Sequence, residues 1–555
     1  MYALFCRSQT AVFTLNAAMK SNAPHRQYWG NKTALLPELD LTLVQRESYD
    51  WFLKNGIKEL LAEISPIDDF TGKNWSLSFG EYTFGKPVYS PLEALNKGVT
   101  FDMPLKVKAT LLNKQTGKSA TQEVFLGDIP AMTATGTFII NGIERCVVNQ
   151  LVRSPGVYFT SDIDPTSGRT LYSAEIRPTH GSWLEFIMAK NDVISVRIDR
   201  RRKFTATTLL RAVGFGTDEE IIQMLKDVDT DPDHGFTVNT LAKDPTKSHI
   251  EAVLEIYRKM RPGEPVVLEN AQELLQNMFF NPRRYDLGRV GRFKMNKKLK
   301  LSVSNSRESW VLTKEDIVGT VRYLIGLTKG IGYVDDIDHL GNRRVRRVGE
   351  LVAINAFRVG LLRLERTVRE KMSLAIEGEL MPTQVVNARP VIAAINDFFR
   401  TSQLSTILDQ TNPLSEVDNL RRLTVMGSGG ISRERASFSI RDINSSQYGR
   451  IDPVRSPEGP NIGLVTYMAL YARINDYGFL EAPYRRVVQE NRGSVIKSRV
   501  TDETVYLSAD DEWETRITHA GVAVDEHGYI LDERVPIRYK GEFIELNSDL
   551  VNYID

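Results

Sequence analysis

Three carboxylates stand together in DDIDH, residues 335–339: Asp335, Asp336 and Asp338. Clustered carboxylates are what two-metal phosphoryl chemistry requires, so a metal nuclease is one reading. The cluster runs straight into GNRRVRR, residues 341–347, which favours salt-bridged surface or nucleic-acid contact instead. DVDTDPD, residues 227–233, resembles the start of a calcium loop. Pro232 stands where such a loop needs glycine, however, and Val238 where it needs a bidentate glutamate. The seven histidines are scattered, none in an HExxH or triad-like context. No phosphate-cradling GxxxxGK[ST] and no dinucleotide glycine pattern in the right setting is present. The sequence shows no self-contained catalytic centre.

It does show basic, glycine-supported segments. RSPGVYF (153–159) puts Arg153 at a stiff turn, and GSWLEF (181–186) flanks Trp183 with small residues. Trp183 is either a core tryptophan or an open face for stacking on a base. In MGSGGISRERASFSIRD (426–442), small residues precede Arg433 and Arg435. Glycines let backbone approach a ligand closely and arginine forks match phosphate; the competing reading is a mobile surface loop. YGRIDPVRSPEGPNIGLV (448–465) is interrupted by Pro453, Pro457 and Pro460, yet carries Ile451, Val454, Ile462 and Leu464. It suits neither a helix, nor a central strand, nor a solvated linker.

The elements that must position these segments can be read from patterning. The chain has 555 residues, 42% hydrophobic and 25% charged, with a net charge of +1. That length suits several domains. Residues 283–300 hold eight Lys and Arg against Asp286 alone, and residues 218–233 seven acids against Lys226. Such blocks are either local basic and acidic faces or solvated surface. Cys6 and Cys146 make neither a disulfide framework nor a CxxC pair, which suits a reducing cytoplasm. No apolar run has membrane-spanning length. Residues 1–18 do not look like a signal peptide, and Met19 is a plausible start. A helical pattern runs through 35–65, with Leu43, Val44, Tyr49, Phe52, Leu53, Ile57, Leu60 and Leu61 on one face. Strands are expected over 98–205, with a hairpin at Asn141-Gly142, and helices over 205–275. The longest helix is expected at 347–376, with Val352, Ile354, Phe357, Leu361, Leu364, Val368 and Met372 facing inward. A helical region over 391–425 breaks at Asn412-Pro413, where Asn412 suits an N-cap. Loops and short strands are expected after Gly427.

At this density the motifs resemble one family. SQLSTILDQTNPLSEVDNLRRLTVMGSGGISRERASFSIRDINSSQYGRIDPVRSPEGPNIGLV (402–465) looks like the fork region of the β subunit of bacterial DNA-directed RNA polymerase. GTFIINGIERCVVNQLVRSPGVYF (136–159), HGSWLEF (180–186), VRIDRRRKF (196–204), EIYRKMRPGEP (255–265), RYDLGRVGRFKMN (284–296), VDDIDHLGNRRVRRVGE (334–350) and YGFLEAPYR (477–485) occur in the family's order. The resemblance runs from about residue 30 to the end. It implies a mixed α+β, multidomain fold of protrusion/lobe/fork type. Residues 1–30 would be an extension, disordered or a mis-called start. The first part of the protrusion would be 31–150, the lobe 151–335 and the second part of the protrusion 336–400. The fork with the rifamycin-pocket region would be 401–470, and a truncated external region 471–555.

The resemblance also implies roles. Arg153, Trp183, Asp338 and Arg343 match a pocket for the non-template DNA strand. The Gly427–Arg435 loop, with Arg433 and Arg435, matches the fork loop at downstream DNA. Pro457, Glu458 and Asn461 match the wall beside the RNA–DNA hybrid, across from Gln403, Asp409 and Arg422. With them, Arg145, Thr406, Ile407, Asn419 and Thr424 fall at hybrid-wall and rifamycin-pocket positions. The family usually has Gln, Phe, His and Ser where Thr406, Ile407, Asn419 and Thr424 stand. No catalytic or metal-binding residue is expected in this chain; the family's Mg2+ is held by β′. Implied partners are the remaining half of β, β′, the α dimer, omega, a sigma factor, double-stranded DNA and the RNA–DNA hybrid, with no membrane. The implied location is cytoplasmic and nucleoid-associated, and the chain is either a split subunit or an interrupted gene. The alternative is a free-standing nucleic-acid-binding relative without transcription activity.

Overall fold

The computed structural model describes residues 39–231, 234–374, 380–492 and 495–555. The expected extension at 1–30, the start at Met19 and Pro232 of the calcium-like stretch lie outside them. The described helices and strands all fall within the unit Asp40–Asp555.

One core is assembled from two distant stretches of sequence. Helices Leu43–Trp51 and Ile57–Ile64 pack with an antiparallel sheet of Ile67–Asp68, Trp75–Phe84, Asp102–Asn113 and Ser119–Pro130. The helical run Val348–Leu374 and the helix Arg389–Thr401 close over them. Tyr49, Phe52, Leu105, Phe357, Leu361 and Phe398 share this interior. Both long helical runs contain a π-turn, at Phe52–Gly56 and Ala353–Arg358. Across each π-turn two core positions stand five apart, Phe52 and Ile57 in the first and Val352 and Phe357 in the second. The second π-turn corrects the expected face of its helix: Ile354 is only half-buried, while Ala353 and Ala356 face the core; Leu43, also expected inside, is exposed at the start of its helix. Gly360 lets the long helix press on its neighbour, since a Cβ there would lie 2.8 Å from the Val391 Cα.

A second core lies under the antiparallel meander of Gly156–Ile163, Thr170–Arg177, Leu184–Met188, Ile194–Ile198 and Phe204–Thr205. The helices between Ala206 and Thr328 pack onto it. The basic block at 283–300 becomes the helix Gly288–Leu299, and much of its charge turns inward. Arg292 is fully buried, donating to Asp316 at 2.7 Å and to the carbonyls of Ser309 and Val311. Lys294 donates to Gly341 O and Asn342 Oδ1, and Lys298 pairs with Asp335 at 2.7 Å. These three cations are fasteners rather than a solvated or basic face.

The two cores meet at a strand hub. The expected hairpin is present, with Phe138–Ile140 against Ile143–Val147 and left-handed backbone at Asn141 and Gly142. Ile143–Val147 also pairs with Ser405–Ile407. The next strand, Asn149–Arg153, pairs antiparallel with Arg343–Arg346 and parallel with Arg422–Thr424, which in turn pairs with Val465–Tyr467. The region 391–425 is thus not wholly helical. Two three-residue strands flank the helix Pro413–Leu420, whose N-cap Asn412 accepts from Ser415 N at 2.8 Å. The expectation of only short strands after Gly427 is also corrected. Leu480–Arg492 and Val495–Ser508 are 13 and 14 residues long and form an antiparallel pair with a bulge near Arg485.

Between hub and C-terminal sheet lies the proline-rich stretch 448–465, hung on Arg450. Its guanidinium is fully buried. It donates to the carbonyls of Leu480, Ser446, Tyr448 and Leu507, and to Glu512. Arg538 and the Tyr484 hydroxyl share that carboxylate.

Removing one partner of a buried ion pair costs about 3–5 kcal/mol. Arg450→Met is therefore expected to strip residues 446–470 of amide protection in hydrogen exchange; unchanged protection would show that the loop does not depend on this side chain. Burial, with a smaller push from the Asp128 charge, holds the Asp102 carboxyl up to about 6. Between the ordinary carboxylate range and pH 6 the folded chain binds more protons than the unfolded one, so this group lowers stability as pH rises. Asp102 is partly exposed, and after solvent screening the effect is on the order of 1 kcal/mol. Asp102→Asn is expected to raise the Tm at pH 7.5 and to leave it unchanged near pH 3.5.

Candidate nucleic-acid interface

Strand register gathers the first group of residues. Arg153 lies directly opposite Arg343 in the hub. Arg343 is buried and ion-paired with Asp338; burial lowers its pKa and Asp338 opposes that shift. Arg153 is held by Glu175 at 2.7 Å, and the same carboxylate holds Arg177 at 3.2 Å. The Arg177 guanidinium covers the Trp183 ring at 4.0 Å. Arg153, Trp183, Asp338 and Arg343 are thus tied together by register and a short charge network. Trp183 itself is half-buried, neither a core tryptophan nor an uncovered face.

The DDIDH carboxylates do not converge. Asp335 pairs with Lys298 and accepts from Phe159 N, Asp336 accepts from Asn444 Nδ2, and Asp338 serves Arg343. Among the described residues, no group of three or more His, Cys, Asp and Glu could hold a metal ion. This geometry gives the nuclease reading no support.

The glycine-rich loop is anchored at its base. Buried Gln150 donates from Nε2 to the carbonyls of Met426 and Ser428, both at 3.0 Å. Gly430 lies so close to the strand end that a Cβ would sit 2.3 Å from Val425 O. Arg433 and Arg435 then fall in an exposed 3-10 turn, Arg433–Arg435. Arg441 links this loop to the proline-rich stretch, donating to Pro460 O at 2.8 Å and Ile462 O at 2.9 Å. Sequence reasoning missed Arg441, Arg450, Gln150 and Arg177. Their only signal was proximity to glycine, proline or aromatic residues.

The third group sits on adjoining strands. Thr406 pairs with Cys146 and Ile407 with Arg145, whose guanidinium donates to Ser405 O at 3.2 Å. Burial pushes the Cys146 thiol up to about 12, so it packs as an inert group. Ile407 is 62% exposed, whereas Asn419 and Thr424 are buried. The Asn419 amide donates one turn back to Ser415 O, and Thr424 Oγ1 accepts from Met426 N. Gln403 and Asp409 are exposed, with Asp409 accepting from Thr411. Glu458 is exposed and Asn461 half-buried around the turn Gly459–Asn461, with Pro457 just before it. Arg455 joins this stretch to the facing helix through Asp418 at 3.1 Å, and both Arg455 and Arg422 lie over the Tyr467 ring. Arg422 Nε is buried without a hydrogen-bond partner.

Among the described residues no helix is long and apolar enough to cross a membrane. Comparison with known families matches residues 153–346 to RNA polymerase Rpb2, domain 2, and residues 406–474 to RNA polymerase Rpb2, domain 3. Residues 484–555 match the RNA polymerase beta subunit external 1 domain. The chain is 47% identical over 516 residues to a DNA-directed RNA polymerase subunit beta of Syntrophomonas wolfei, covering 93% of this chain and 45% of that protein. It is 49% identical over 521 residues to the subunit of the same name from Nostoc, covering 94% of this chain and 44% of that protein. The chain therefore spans a little under half the length of these curated relatives. With mixed α and β modules in this order and that identity across nearly its whole length, the chain belongs to the RNA polymerase β-subunit family.

Proposed function

We propose that this chain works as part of the β subunit of a multisubunit DNA-dependent RNA polymerase, holding downstream DNA and walling the RNA–DNA hybrid. What supports this reading most is the strand hub. Its register sets Thr406 and Ile407 beside Ile143–Val147, which carries Arg145, and sets the strand of Arg422 and Thr424 beside Asn149–Arg153, the next strand in the chain. The same hub carries Arg153 and Arg343. A wall guiding a sliding hybrid must keep its shape and stay blind to sequence. Prolines and the buried Arg450 anchor supply rigidity, and arginine contacts to phosphate carry no base information. In the pocket, Trp183 supplies a stacking face, while Asp338 and Arg343 offer an acceptor and a donor for a base edge. Arg433 and Arg435 take the downstream strands.

Nucleotidyl transfer falls to the assembled complex. In this reading, as the family resemblance implies, β′ holds the Mg2+; Asp335, Asp336 and Asp338 of this chain each answer a cation or an amide. The partners are the rest of β, β′, the α dimer, omega and a sigma factor.

The direct test is reconstitution with the remaining subunits. Template-directed RNA synthesis is expected only when this chain is present. An assembled complex that binds nucleic acid but makes no RNA would instead favour a free-standing binding relative. The rifamycin positions give a second test. Thr406 and Ile407 lack the family's usual amide and aromatic ring, and the Asn419 amide is spent on its own helix. Each lost hydrogen bond is worth about 1 kcal/mol. The reconstituted enzyme is expected to resist rifampicin, and inhibition at sub-micromolar drug would refute that. The triple variant Thr406→Gln, Ile407→Phe, Asn419→His is expected to gain sensitivity, read as a lower inhibitory concentration.

A further inference from the structure

Two arginines lie over the Trp183 indole, held in opposite ways. Arg177 is fixed. Its side chain is only 20% exposed, lies 4.0 Å from the ring centroid, and is ion-paired at 3.2 Å with Glu175, the carboxylate that also holds Arg153. Arg200 is loose. Its side chain is 70% exposed, lies 5.4 Å from the same ring, and has Glu185 only at 3.5 Å.

The turn that presents Arg200 is strained. Asp199 and Arg200 both take left-handed backbone, with φ of 49° and 58°, although neither is glycine. A side chain in that region costs about 1 kcal/mol or more per residue. The turn is pinned to the tryptophan: Asp199 Oδ1 accepts from Trp183 N at 2.8 Å, and Asp199 N donates to Trp183 O at 3.0 Å. The strain thus holds a guanidinium beside the indole, a plane suited to stacking on a base.

We propose that Arg177 and Arg200 are positioning residues that make Trp183 a clamp for a single unpaired base. This rests on the reading of Trp183 as a stacking face for the non-template strand. Arg177 fixes the ring, and its shared carboxylate keeps Arg153 in register with it. Arg200 closes over the base once it has stacked. A base between ring and guanidinium needs a gap of ~7 Å, twice an ordinary ~3.5 Å contact. Arg200 must therefore move outward from its present position, which its exposure allows. The ligand class is an unpaired nucleobase in single-stranded DNA.

The test uses the reconstituted polymerase on a DNA scaffold, with 2-aminopurine placed in turn at each non-template position downstream of the RNA end. One position is expected to show stacking-dependent quenching that Trp183→Ala abolishes. Arg177→Leu, Arg177→Lys and Arg200→Gly are each expected to weaken that signal and scaffold affinity about two- to fivefold, the range for an exposed cation–π contact. Arg177→Lys keeps the charge beside Glu175 and so guards against a folding defect. Arg200→Gly separates clamp from scaffold, because glycine accepts the left-handed turn without cost. Its Tm should stay level or rise while the signal falls. Full signal in the Arg177 and Arg200 variants, with loss in Trp183→Ala, overturns the clamp and leaves the stacking reading intact. No loss in Trp183→Ala overturns both.

Discussion

Arg450 is the constraint on which the proposed hybrid wall depends. A fully buried guanidinium must have its donors satisfied. Here the acceptors come from four backbone carbonyls and Glu512, spread between Ser446 and Glu512. Satisfying one side chain therefore fixes the loop before the wall, the first long C-terminal strand and the end of the second. Arg538 and Tyr484 converge on the same carboxylate, extending the constraint into the C-terminal sheet. The proline-rich stretch 448–465 needs no ladder of its own, because its ends are fastened by Arg450 and, through Pro460 and Ile462, by Arg441.

The hub solves a second problem, that of joining segments separated by hundreds of residues. Asn149–Arg153 is paired on both sides by strands from later in the chain, so it is an interior strand and its burial is nearly complete. Interior strands fix register strictly, because a slip by one residue would turn a buried face outward. That strictness sets Arg153 opposite Arg343 and Thr424 opposite Gln150. Gln150, in the same strand, spends its amide donors on the base of the glycine-rich loop. The two arginine-bearing sites thus share one rigid support, while Arg433 and Arg435 stay in solvent.

Arginine serves both as fastener and as exposed contact in this protein, and the sequence does not separate the two uses. Arg292, Lys294 and Lys298 belong to a block whose composition reads as surface charge, yet each is inside or nearly so. Arg433 and Arg435, in a segment of similar composition, are exposed. The difference is whether an acceptor set from elsewhere in the chain arrives at the same place. Asp316 does so for Arg292, and Asp335 for Lys298.

The sequence by itself determined the local elements and the family. The Asn141-Gly142 hairpin, the Asn412 cap and most inward helix positions follow from nearest-neighbour stereochemistry and periodicity, which act over a few residues. The motif order was sufficient to point to the RNA polymerase β-subunit family. Only tertiary structure decided the π-turns that shift Ile354 off the core, since a wide turn is favoured by packing across two helices rather than by local propensity. It alone decided the three-residue strands at 405–407 and 422–424, which are too short to carry a pattern and exist because the hub offers them partners. It also placed Arg177 over Trp183 and buried Arg450, because both contacts join residues that no spacing rule connects.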